Sequence, residues 1–217
     1  MIITVVGLGV IGGSFVKALK GKGYDVYGVD CDQQTLEMAK AEGCIIEGYL
    51  DGHQIISQSD LTIICLYPSK VLDFISEHTF KKGSIVTDVV GIKSYFLNQA
   101  LSRIDQDVEY ISGHPMAGRE KKGYLYASQE VFQNANYIVI QHEHNQIDKI
   151  DWMRQFVGQL GFKSVKIMSP YDHDEIISYT SQLPHTLAVA LMNSDDEKYE
   201  TGKYIGDSFR DLTTIAN

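Results

Sequence analysis

The chain has 217 residues, is 44% hydrophobic and 22% charged, and carries a formal net charge of -9. That length can bury its own core as one large domain, or as one domain with a small second one. The acidic balance argues against nucleic acid as a partner, because phosphate contacts want a basic face. A small anionic ligand stays compatible, since a few local cations suffice. Cys31, Cys44 and Cys65 form no CxxC pair and read as reduced thiols. The first residues lack a basic leader, and no apolar run approaches the roughly 20 residues that span a bilayer. The expectation is a cytoplasmic protein with no membrane contact.

Short apolar runs alternate with helix-length amphipathic segments. Strands are predicted at 2–6, 24–29, 61–66, 84–88, 109–112, 137–141 and 163–167. Helices are predicted between them at 10–22, 33–42, 70–78, 94–104 and 146–160. Such alternation predicts an α/β fold with a doubly wound, mainly parallel sheet. After Pro170 the spacing turns helical throughout, with Ile176, Leu183, Leu187 and Leu191 on the repeat and a kink or break expected at Pro184. A polar stretch and a last segment, 204–217, follow. The predicted boundary falls near Ser169, giving a nucleotide-binding domain, 1–169, and an all-α domain, 170–217. About 48 residues are marginal as an independent core, so the helical part is expected to be completed by more chain or by a partner subunit.

Gly7-Leu8-Gly9-Val10-Ile11-Gly12 follows the first strand and opens the first helix. In that setting GxGxxG is a dinucleotide fingerprint. Gly7 permits the turn, Gly9 lets backbone approach a pyrophosphate, and Gly12 allows the helix to pack closely on the strand. Asp30 ends the second strand, where a carboxylate accepts hydrogen bonds from a ribose and repels a 2′-phosphate. With Asp32 beside it, this favours NAD over NADP in a Rossmann-type sheet. Tyr67 and Pro68 leave the 61–66 strand at the edge where ligands sit. Asp88 leaves the next strand as either a cofactor-side carboxylate or a helix cap.

His114 follows the 109–112 strand in a turn flanked by Gly113 and Pro115. An imidazole exchanges protons near neutral pH, and beside a dinucleotide it suits redox chemistry on a hydroxyl. The segments His114-Pro115-Met116-Ala117-Gly118-Arg119-Glu120, Ser181-Gln182-Leu183-Pro184-His185 and Gly206-Asp207-Ser208-Phe209-Arg210-Asp211-Leu212-Thr213-Thr214-Ile215-Ala216, with the glycine fingerprint, resemble the prephenate and arogenate dehydrogenase family. The resemblance runs in order along essentially the whole chain.

The resemblance implies NAD-dependent oxidative decarboxylation in tyrosine biosynthesis, with His114 polarising the C4 hydroxyl of the substrate. It places His185 near substrate, with helix packing as the alternative, and Glu120 near the substrate entrance, with a solvated loop carboxylate as the alternative. It also implies a homodimer built through the helical domain. Three positions depart from the family pattern. The serine that would orient the histidine is Gly91, a first histidine of the Ser-His-Leu-Pro-His motif is Gln182, and the substrate-clamping arginine falls on Thr214. Arg210, one helical turn earlier, either reaches the same anion or pairs with Asp207 or Asp211. Asp172-His173-Asp174-Glu175 reads as the acidic start of a helix, and no metal is expected. Two other readings stay open: a related hydroxyacid or imine oxidoreductase, and an NAD-binding sensor without catalysis.

Overall fold

A computed structural model describes residues 1–118, 121–195 and 200–216. The chain divides into two compact units, Met1–Pro170 and Tyr171–Asn217.

The first unit is built on β1 (Ile2–Val6), α1 (Val10–Leu19), β2 (Asp25–Val29), α2 (Gln33–Ala41), β3 (Glu47–Tyr49), α3 (His53–Ile56), β4 (Leu61–Ile64), α4 (Pro68–Glu77), β5 (Ile85–Asp88), α5 (Ser94–Leu101) and β6 (Glu109–Tyr110). The six strands form one parallel sheet in the order β3-β2-β1-β4-β5-β6. Every carboxyl end therefore lies on one edge, and the order reverses between β1 and β4. Such a crevice is where ligands enter open α/β sheets. The central strands β4 and β5 are buried along their whole length, as expected where helices cover both faces. Ile3, Val5 and Ile63 join α1 and α2 side chains in one apolar cluster, with Phe15 fully buried. Its ring meets Phe132 at 4.8 Å; burying a side chain of that size contributes roughly 1.5–3 kcal/mol.

The predicted strands beyond 112 do not extend this sheet. β7 (Gly113–Pro115), β8 (Asn136–Ile140) and β9 (Ser164–Met168), with α6 (Ile147–Gly158) between the last two, make a separate three-stranded sheet. β7 runs antiparallel to β8, with His114 opposite Ile138. Side chains cover the edge of β6: the Tyr110 carbonyl accepts from Asn145 Nδ2 at 2.9 Å and lies 3.0 Å from His142 Nε2. His114 is thus a strand residue, a correction to the expected turn. Pro115 and Gly113 read as turn punctuation, yet β7 is an edge strand, where a proline is tolerated. Gly113 is needed for packing, since a Cβ there would lie 2.0 Å from Tyr137 Oη. β3 and α3 were not predicted. β3 has three half-buried residues and α3 a single turn, too short for a periodic signal.

The second unit holds α7 (Pro170–Ile177, beginning at the boundary), a π-helical stretch at Ser178–Gln182, α8 (Leu183–Asn193) and α9 (Asp207–Thr213), with a 3-10 turn at Thr214–Ala216. Of the kink or break expected at Pro184, the break is absent and the irregularity is the π-helical stretch just before it. Gln182 and Leu183 keep helical dihedrals, and Pro184 falls in the first turn of α8, where its missing N–H costs little. The wide π turn upstream absorbs the disturbance. The acidic run expected to start a helix lies within α7.

At the end of α4, His78 stacks on Phe74 at 3.8 Å and on His53 at 4.2 Å. Burial holds its pKa below the ordinary value of 6.5, against a hydrogen bond to the Phe74 carbonyl that favours the charged form. A depressed histidine contributes stability that is complete above its unfolded pKa and lost as pH falls through the folded value. Thermal unfolding is therefore expected to show a steeper loss of Tm below pH 6.5 in the wild type than in His78→Phe, which keeps the stack without a titrating group. Parallel curves would contradict this.

Candidate active site

The glycine turn is shaped as its sequence requires. Gly7 has φ +81°, and a Cβ on it would meet the Cys65 carbonyl at 2.6 Å. A Cβ on Gly12 would lie 1.9 Å from the Gly7 carbonyl, whereas one on Gly9 would meet nothing within 4 Å. The turn is therefore tight on its protein side and open at Gly9, a cradle suited to a pyrophosphate. α1 begins at this opening with no acidic residue in its first turn and no side-chain cap. Its leading N–H groups and the positive end of its dipole suit an anion. Leu8 is fully buried, its side chain against Gly28, and only its backbone belongs to the turn. Val10 and Ile11 occupy the first turn of α1.

Asp30 directly follows β2 and braces the cradle. Its Oδ2 accepts from Leu8 N–H at 2.6 Å and its Oδ1 from Asp32 N–H at 2.9 Å. Each carboxylate oxygen has a second lone pair, so a ribose hydroxyl can still be accepted. Asp32 caps α2 through Gln34 N–H and the Thr35 hydroxyl, and the Thr35 bond is the main reason its pKa is lowered. Tyr67 is exposed and precedes α4, which starts at Pro68 on the same sheet edge. Beside the turn, desolvation pushes the Cys65 thiol up, so it stays protonated.

Asp88 departs from both of its expected roles. It is fully buried and caps no helix. Its Oδ1 accepts from Val90 N–H at 2.8 Å and from Lys93 Nζ at 2.9 Å, and its Oδ2 from Tyr110 Oη at 2.8 Å. Both of its oxygens are taken up by protein donors. Lys93, also fully buried, donates further to Ser112 Oγ at 2.8 Å and to the Gly113 carbonyl at 2.7 Å. This network was not identified from sequence. The Asp88-to-Lys93 spacing was visible, but Tyr110, Ser112 and Gly113 join it only through the pairing of β5 with β6 and the turn into β7.

His114 and Gly91 do come together. A Cβ built on Gly91 would lie 3.5 Å from His114 Nε2 and 3.6 Å from Cε1, ordinary contact with no clash. Gly91 does not have a positive φ, so a side chain fits. Gly91→Ser is expected to put a hydroxyl beside the imidazole, leave Tm unchanged within a degree or so, and raise kcat by ordering the ring. Thermal unfolding and steady-state turnover check this; a fall in both would contradict the contact.

Of the other expected site residues, Glu120 lies outside the described residues. In the second unit, His185 lines a cavity of about 500 Å³ with Thr180, Ser181, Gln182, Pro184 and Ile215. Arg210 does not line it. Its Nη1 donates to Asp207 at 2.8 Å in an exposed ion pair, the alternative read from sequence. Thr214 Oγ1 donates to the Arg210 carbonyl at 2.7 Å, so the arginine missing from 214 is not replaced there. A cavity of about 660 Å³ opens beside β6, lined by residues such as Asn98, Glu109, His142 and Asn145, and holds none of the expected site residues. Asp51, His53 and His78 bring three donor atoms within 4.8 Å of one another. Asp51 accepts from the His53 N–H at 2.9 Å and the two imidazoles lie stacked.

The six-stranded parallel sheet, the open glycine turn at a helix N-terminus and the braced Asp30 define a dinucleotide-binding protein of the Rossmann class. Two sequence-family models match: prephenate dehydrogenase, nucleotide-binding domain, over residues 15–166, and prephenate dehydrogenase, dimerization domain, over residues 169–217. The chain belongs to the prephenate dehydrogenase family. Prephenate dehydrogenases of Lactococcus lactis and Bacillus subtilis are 29% and 27% identical to it, each match covering 99% of this chain and 60% of the relative. The chain thus spans about three fifths of the length of these curated relatives. Synechocystis arogenate dehydrogenase is 26% identical with a TM-score of 0.87, over 99% of this chain and 78% of that one. A prephenate dehydrogenase from Aquifex aeolicus, solved with hydroxyphenyl propionate and NAD+, has the same fold at 24% identity and a TM-score of 0.87, over 100% of this chain and 78% of that one. No described helix is long and apolar enough to cross a membrane.

Proposed function

We propose that the chain is an NAD-dependent oxidoreductase of tyrosine biosynthesis. It converts prephenate to 4-hydroxyphenylpyruvate, or arogenate to tyrosine, with loss of CO2. The observation that carries this reading is the His114 imidazole against Gly91, on the sheet edge where the glycine turn opens. Bound NAD supplies the hydride acceptor for C4 of the substrate. His114 accepts the hydrogen bond of the C4 hydroxyl and takes its proton as hydride leaves C4. When the ring carboxylate departs as CO2, its electron pair aromatises the ring onto the C4 oxygen, which takes the proton back from the imidazolium to give the phenol. Only the neutral imidazole can do this, so turnover falls as pH drops through its pKa. Gly7, Gly9 and Gly12 with the α1 N-terminus hold the pyrophosphate. Asp30 accepts the ribose hydroxyls and disfavours a 2′-phosphate, and Tyr67 and Pro68 border the nicotinamide side.

In this reading residues 1–169 bind the dinucleotide, and residues 170–217 serve substrate binding and dimerisation. His185 and Glu120 act on the substrate side, and Arg210 joins them only if it leaves its pair with Asp207. Exposed Ile176, Tyr179, Leu183, Leu187 and Met192 support a homodimer through the helical unit. The free cysteines suit the cytoplasm, and no nucleic acid or membrane partner is invoked. The Asp207–Arg210 pair and the bond from Thr214 to backbone favour one second reading, an NAD-binding protein that does not turn over. Incubation with NAD and either substrate, following reduced nicotinamide, separates them. Turnover with NAD and little with NADP is expected; tight NAD binding with no turnover on either substrate would sink the first reading.

A further inference from the structure

We infer that the buried Asp88–Lys93 pair is a positioning latch for His114, with Lys93 as a positioning residue rather than a catalytic one. For the reaction, the inference rests on the functional reading above.

The geometry carries it. The imidazole sits between two backbone segments: the loop after β5, which presents Gly91, and β7, which carries His114. Asp88 Oδ1 accepts the Val90 N–H and so fixes the residue before Gly91. The same oxygen pairs with Lys93 Nζ, which donates to the carbonyl of Gly113, the residue before His114, and to Ser112 Oγ. One ion pair, fully buried on both sides, therefore ties down the residue before Gly91 and the residue before His114. Tyr110 Oη holds the other carboxylate oxygen from β6. Gly91 itself offers only backbone to this contact.

Burying two charges is a poor route to stability, because desolvation offsets their attraction unless hydrogen bonds satisfy the remaining valences. Here the bonds run to the two segments flanking the imidazole. A pair that served stability alone would be replaceable by a neutral pair of similar shape without consequence for the histidine.

The test is a double-mutant cycle on kcat. Asp88→Asn with Lys93→Met removes both charges; the asparagine Oδ1 still accepts from Val90 N–H, its Nδ2 donates to Tyr110 Oη in place of the carboxylate oxygen that accepted from it, and the methionine fills the lysine stem. This double variant is expected to fold and to bind NAD normally, yet to lose about 100-fold in kcat, as for a displaced catalytic group. Adding His114→Asn to it should then cost less than about fivefold, because the ring is already misplaced. Full multiplication of the two effects would overturn the latch. If the double variant does not fold, Lys93→Gln, which keeps a neutral donor toward Gly113, runs the same cycle against the same criterion. A nuclear Overhauser contact between His114 Hε1 and Gly91 Hα gives an independent reading, present in the wild type and lost in the folded variant. Its persistence would refute the latch. Absence of wild-type turnover on either substrate would refute the functional reading instead, and leave the latch to be judged on this contact.

Discussion

His114→Asn is expected to lower kcat by about 10²–10⁴-fold, the usual contribution of a positioned proton acceptor, while NAD affinity and Tm stay close to wild type. His114 lies in β7 with its backbone paired to Ile138, and asparagine keeps that ladder. The side chain is only half-buried, so little packing is lost. An amide has no basic nitrogen to take the hydroxyl proton. The loss should therefore fall on kcat, with the dinucleotide Kd unchanged because the glycine turn is untouched. Steady-state kinetics, NAD titration by intrinsic fluorescence and thermal unfolding check the three parts. A variant that binds NAD and retains full turnover would remove His114 from the chemistry.

Gly12→Ala should produce the second large effect, on binding and stability together. Its Cβ would stand 1.9 Å from the Gly7 carbonyl and 3.2 Å from Cys65 Cβ. The nearer obstacle is backbone, so relief requires moving α1 away from β1 or distorting the turn. Overpacking of this kind costs about 1–3 kcal/mol or more. The displaced turn should weaken NAD binding at least about tenfold, or about 1.4 kcal/mol. Gly9→Ala is the informative control. Its Cβ enters open space, so Tm should hold while NAD affinity falls, because the methyl group occupies the pyrophosphate approach. If both variants bind NAD as the wild type does, the glycine turn is not the cofactor cradle.

The central sheet was legible because its strands are short β-branched runs such as Leu61–Ile64, a pattern that buried parallel strands cannot avoid. The second sheet was harder to read. Gly113 and Pro115 carry turn chemistry, and only the crossing of Tyr137 over Gly113 and the edge position of β7 explain them as strand residues. At the site, the family resemblance was what paired Gly91 with His114 as candidates, and the fold places them in contact. Asp88 was misjudged for a physical reason. A carboxylate leaving a strand in this class of sheet can face ligand or protein, and the choice depends on Tyr110, which reaches it only through tertiary structure, and on Lys93, whose own partners Ser112 and Gly113 are brought to it the same way. Arg210 raises the same issue in the second unit, where Asp207, three residues away, holds it. Local sequence permits that pair without requiring it.

The central claim is that a neutral His114 imidazole takes the substrate proton during NAD-dependent oxidation. The measurement that bears on it most directly is the pH dependence of kcat for the wild type and His114→Asn, with NAD and substrate saturating. The wild type should lose activity on the acid side along a single limb as the imidazole takes up a proton. The residual activity of the variant should lack that limb. An acid limb that persists unchanged in His114→Asn would assign the proton to another group and contradict the account.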